Sequence, residues 1–189
     1  MKASRLPSPA RAALLALLPV ALLLVAPAAS AQVFAAGVGG GIVNDEGSAE
    51  NLKNFATGAG FGFIEVSLEP GIVMQGRYTH FQLPPTGENG PDINVDAGTL
   101  TIAYLFKEDW WQGGFFAGGG GYRLNPKEPG DGQVVTDPSE TVFGLCGGLI
   151  TVFTVNPRFD IRLEAIGHLI RDVSRRKPII ASVAVGYKF

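Results

Sequence analysis

Residues 179–189 read IIASVAVGYKF. Ile179, Ala181, Val183, Val185, Tyr187 and Phe189 fall on one face of an extended chain, while Ile180, Ser182, Ala184, Gly186 and Lys188 fall on the other. The stretch before it, 159–170, reads FDIRLEAIGHLI. There Phe159, Ile161, Leu163, Ala165 and Leu169 share a face opposite Asp160, Arg162, Glu164 and His168. A period of two with charges confined to one face is the mark of a half-buried β-strand.

The same pattern continues upstream. In 72–83, Ile72, Met74 and Tyr78 oppose Gln75, Arg77 and Thr79. In 93–106, Leu100, Ile102, Tyr104 and Phe106 oppose Thr99, Thr101 and Ala103. Segments rich in glycine, aromatic and β-branched residues lie near 33–43, 55–69, 72–83, 93–106, 114–124, 140–153, 159–170 and 179–189. That predicts eight strands. In 140–153 both faces are apolar or glycine, so the pattern does not orient it. The connections alternate in length: a polar stretch at 44–54, the tight Glu69-Pro70-Gly71, a long 84–92, a short 107–109, the longest at 125–139, a short 154–158, then 171–178. Up-and-down transmembrane barrels show this asymmetry of turns on one side and loops on the other.

Composition excludes other classes. The chain has 189 residues, 46% hydrophobic and only 17% charged, against about 25% charged in an average soluble domain, so it is not a disordered chain. Its 26 glycines make long helices or a coiled coil untenable. One cysteine, Cys146, cannot form an internal disulfide framework. A net charge of −2 leaves no electrostatic footprint for nucleic acid.

The N-terminus reads as a leader. Lys2, Arg5 and Arg11 precede an apolar run from Ala12 to Ala26, Pro27 breaks that run, and Ala29-Ser30-Ala31 fits the small-x-small cleavage pattern. We read 1–31 as a secretory signal peptide and 32–189 as one domain. An uncleaved anchor is the alternative, opposed by Pro19 and Pro27.

Physics then fixes the closure. An open sheet in hydrocarbon leaves edge N–H and C=O groups unpaired at several kcal/mol each. Eight strands closed on themselves remove the edges and leave a lumen just wide enough for side chains. Apolar faces meet lipid, and the polar faces point inward. The lumen is expected to hold Glu65, Gln75, Arg77, Arg123, Arg162, Glu164 and His168, with Glu65 and Arg77 nearly opposite each other across the Pro70-Gly71 turn. Buried charges persist only when paired, so this network should plug the lumen. Phe106, Trp110, Trp111, Phe153, Tyr187 and Phe189 near the turn ends, and Phe81 and Tyr122 near the loop ends, are candidates for interfacial girdles.

With its eight segments, its leader and its terminal Tyr187-Lys188-Phe189, the chain resembles the small eight-stranded outer-membrane β-barrel proteins of Gram-negative-type bacteria. That resemblance implies an all-β, antiparallel, up-and-down transmembrane barrel in the cell outer membrane. It also implies that Val183, Val185, Tyr187 and Phe189 form a C-terminal signal read by periplasmic chaperones and the barrel-assembly machinery.

Catalytic groups are sparse. Barrel enzymes that modify lipid A need a serine with a histidine in reach. His168 is followed by Leu169-Ile170 and His80 by Phe81-Gln82, so the His-x-Ser spacing is absent. Two distant histidines and one cysteine do not suggest a metal site, and no cofactor is implied. The glycine clusters at 37–41, 58–62 and 118–121 lack the helix and the Lys-Ser/Thr pair of a phosphate loop. Arg175, Arg176 and Lys177 in the last long connection suit lipopolysaccharide phosphates. The expectation is a monomeric, non-enzymatic barrel with a structural or surface-interaction role. A narrow pore, a lipid A-modifying barrel and a soluble lipocalin-like barrel are the alternatives.

Overall fold

The computed structural model describes residues 33–45, 57–83, 92–108, 110–126, 139–171 and 177–189. The leader 1–31 and the pair Arg175 and Arg176 lie outside the described residues.

Alternating side chains give eight strands: β1 (Phe34–Asp45), β2 (Thr57–Glu69), β3 (Ile72–Leu83), β4 (Ile93–Lys107), β5 (Trp111–Pro126), β6 (Glu140–Thr154), β7 (Phe159–Ile170) and β8 (Pro178–Lys188). Each pairs antiparallel with its sequence neighbour, and β1 pairs with β8 from Ala35↔Lys188 to Asp45↔Pro178, which closes the barrel. The N-terminal strand is therefore hydrogen-bonded on both sides, and no edge remains. Gly71 has φ of 82°, the left-handed turn conformation that glycine adopts freely, and its carbonyl accepts a hydrogen bond from the Leu105 amide at 2.7 Å.

The exterior is apolar. Val38 is 70% exposed, Leu149 66%, Ile102 58% and Val183 53%. In water this area would be a liability; in hydrocarbon it is the stable arrangement. No helix among the described residues is long and apolar enough to cross a membrane.

Around the turn end the outer surface carries a run of ring contacts: Tyr104, Phe106 and Phe115 on β4–β5, Trp110 stacked on Phe153, and Phe159, Tyr187 and Phe189. Rings gather there because an interface wets one edge and keeps the other dry. Phe81 and Tyr122 do not join a girdle at the loop end. Both point inward and are fully buried, and among the described residues the outward aromatics nearest the loops are Tyr78 and Phe143.

Candidate functional site

The lumen has two halves of different chemistry. In the loop half, Phe81, Val95 and Tyr122 from neighbouring strands meet Ile180, Val43 and Leu83; none is more than 2% exposed. Within the apolar fill the Tyr122 hydroxyl lies 2.8 Å from His168 Nδ1, with the Phe81 ring 5.6 Å from the imidazole.

In the turn half the fill is ionic. Arg162 on β7 donates to Glu65 on β2 through both terminal nitrogens, at 2.5 and 2.8 Å, and to Asp160 through Nε at 2.8 Å. Arg77 on β3 donates to Glu164 on β7 at 2.5 Å and to Gln75 at 3.1 Å. Each guanidinium lies over a ring: Arg77 is 4.5 Å from the Phe61 centroid and Arg162 is 4.4 Å from that of Phe63. Lys188 adds a longer contact to Asp160 at 3.4 Å. Bidentate geometry and stacking are what make such buried charges tolerable. Phe61 and Phe63 fit because β1 presents glycine there: a Cβ on Gly39 or Gly37 would collide with the respective ring. A cavity of about 200 Å³ opens beside the network, bordered by Arg77, Arg162, Glu164 and Lys188. Arg77 Nη1 and Glu164 Oε1 have no hydrogen-bond partner among the described residues.

Of the lumen residues named from the sequence, Glu65, Arg77, Arg162, Glu164 and His168 point inward, as does Gln75. Arg123 does not. It is exposed on the outer wall, because Tyr122 and Leu124 on either side of it take the buried places on β5. The pairing also differs from expectation. An irregularity between Ser67 and Glu69 shifts the β2–β3 register, so Glu65 faces Gln75 and Arg77 faces Phe63. Glu65 and Arg77 then bond to Arg162 and Glu164, both on β7. Asp160, Lys188, Phe61, Phe63 and Tyr122 belong to the site but were not among its expected members. For Asp160 a signal existed: it stands two residues before Arg162 on the same strand face.

At the loop end of the outer wall, Asp96 accepts a hydrogen bond from the Tyr78 hydroxyl at 2.7 Å and from Asn125 Nδ2 at 3.1 Å, and lies 2.8 Å from His80 Nδ1. This polar cluster ends the apolar band on β3–β5. Val183, Val185 and Phe189 are exposed on the outer face of the closing seam, with Tyr187 partly covered by the rings beside it. Lys177 is exposed at the start of β8.

No protein-family model and no curated protein matches the chain. Among solved structures it is similar to Neisserial surface protein A, with a TM-score of 0.63 and 14% identity over 85% of this chain and 98% of that one. It is similar to the N-terminal β-barrel domain of Pseudomonas aeruginosa OprF, with a TM-score of 0.56 and 11% identity over 82% and 97%. It is also similar to Ail of Yersinia pestis, solved in complex with the heparin analogue sucrose octasulfate, with a TM-score of 0.54 and 14% identity over 84% and 97%. The likeness is one of fold, the closed eight-stranded antiparallel β-barrel.

Proposed function

We propose that this outer-membrane barrel is a closed, non-enzymatic scaffold that acts at the membrane surface through its loop-end rim. The observation that carries the reading is the packed loop half of the lumen. Phe81, Tyr122, Val95 and Ile180 are each 0% exposed, which leaves no continuous aqueous path. Surface interaction is then the role left to the outer rim. Phosphate-bearing lipopolysaccharide is the partner that Arg175, Arg176 and Lys177 would suit, and Ail, a barrel of similar fold, was solved in complex with the heparin analogue sucrose octasulfate.

A narrow pore is the second reading, favoured by the cavity of about 200 Å³ in the turn half. Planar-bilayer recording separates the two. The wild-type chain should show no steady conductance, and the double variant Phe81→Ala, Tyr122→Ala should conduct, because it removes the two bulkiest fully buried side chains of the apolar fill. Steady conductance in the wild type, or a closed double variant, contradicts the reading.

A further inference from the structure

We propose that the lipid-facing side of β6, β7, β8 and β1 holds a phosphorylated, multi-chain glycolipid of the outer leaflet. Its acyl chains would lie in a groove and a phosphate would rest on Arg171 and Lys177. This deepens the surface reading above and rests on it for the loop end being the outer one.

The groove has two adjoining lobes. The one nearer the loops has a volume of about 420 Å³. Its floor is Gly147 and Gly167, which are cross-strand partners, its walls include Leu145 and Leu169, and Lys177 borders it at the loop end. The other, of about 560 Å³, lies one outward row further from the loops. Ala165 and Ala181 are partners in its floor, with Leu149 and Val183 as walls. Each volume falls in the range of ligand sites, about 300–1,000 Å³. Two lobes side by side suit a lipid with several chains.

Charge selects the headgroup. Arg171, just past the end of β7, continues the outward series beyond Leu169 and is exposed, as is Lys177, just before β8. Two cations at the rim of an apolar slot complement a phosphate above an acyl chain. The same two cations oppose a second copy of the chain. Copies sharing one membrane orientation would meet there through a two-fold axis, setting Arg171 and Lys177 against their own equivalents.

The test uses the refolded full barrel, probed by native mass spectrometry with bis-phosphorylated lipid A, its dephosphorylated form and phosphatidylglycerol. The wild type should retain lipid A. The groove-filling variant Ala165→Leu, Ala181→Leu and the charge variant Arg171→Ala, Lys177→Ala should each bind it about tenfold more weakly or worse. Heat-modified gel migration reports that each variant is folded. Removing the phosphates from the lipid should mimic the charge variant. Unchanged retention by the filled variant overturns the proposal. So does equal retention of phosphatidylglycerol, or dimers that the filled groove abolishes. Lumen closure is read separately by conductance, so failure here leaves the closed-barrel reading standing or falling on its own measurement.

Discussion

Replacing Arg162 with alanine should cost about 3–5 kcal/mol of folding free energy, the usual penalty for removing one partner of a buried ion pair. Arg162 is 2% exposed. It bridges Glu65 on β2 and Asp160 on β7 and covers the Phe63 ring. Without it, Asp160, itself 0% exposed, keeps only the 3.4 Å contact to Lys188 among the described residues. Glu65 would lose its counter-charge as well and keep only the Gln75 amide, at 3.5 Å, among the described residues. Urea unfolding from lipid vesicles, followed by the fluorescence of Trp110 and Trp111, measures the loss. Lys188→Ala is the internal comparison. That lysine is partly exposed and its contact is long, so it should cost less than about 1 kcal/mol. Equal costs for the two variants would mean that the network is not organised around Arg162.

The second large effect concerns the closing seam. Gly39 faces inward on β1, opposite Ala184. A Cβ there would overlap the tip of the Phe61 ring and would sit 2.6 Å from the Val183 carbonyl oxygen and 2.7 Å from the Ala184 Cβ. The ring can move, but the carbonyl belongs to the β1–β8 ladder that closes the barrel and cannot. Gly39→Val should therefore exceed the ordinary overpacking cost of about 1–3 kcal/mol and reduce the yield of folded barrel on heat-modified gels. Gly60, its near neighbour on the outer wall, is open: a Cβ added there would meet no atom within 4 Å. Gly60→Val should shift stability by no more than about 0.5 kcal/mol. A tolerated Gly39→Val would show that the seam is looser than this packing implies.

Much of this architecture was legible in the sequence because barrel strands repeat with period two. β3, β7 and β8 carry enough contrast between faces to be oriented residue by residue, β4 carries less, and the alternation of short and long connections follows from the up-and-down order. β5 carried too little contrast. Gly118 to Gly121 offers no side chains to compare, so the face of Arg123 could not be read, and Tyr122 took the inward place. The ion pairs were hidden for a different reason. Arg162 and Glu65 are 97 residues apart and Arg77 and Glu164 are 87 apart. Such partners meet across the lumen, and local sequence reports only the neighbours within a hairpin. Even within the β2–β3 hairpin the pairing of Glu65 with Arg77 failed, because the irregularity near Ser67 offsets a count made from the turn. The apolar plug escaped notice because Phe81 and Tyr122, placed near the loops, look the same whether they face lipid or lumen.

The orientation of the strand faces underlies the closed lumen, the ion network and the lipid groove alike, and nitroxide scanning measures it directly. In a Cys146→Ala background, single labels at Leu100, Ile102 and Val183 would report the outer face, and labels at Thr101 and Ser182 the lumen, with the barrel in bilayers. The outer labels should relax strongly with dissolved oxygen and weakly with a water-soluble nickel chelate, while the lumen labels should be immobilised and shielded from both. Outer labels that respond to the chelate and avoid oxygen would contradict that orientation.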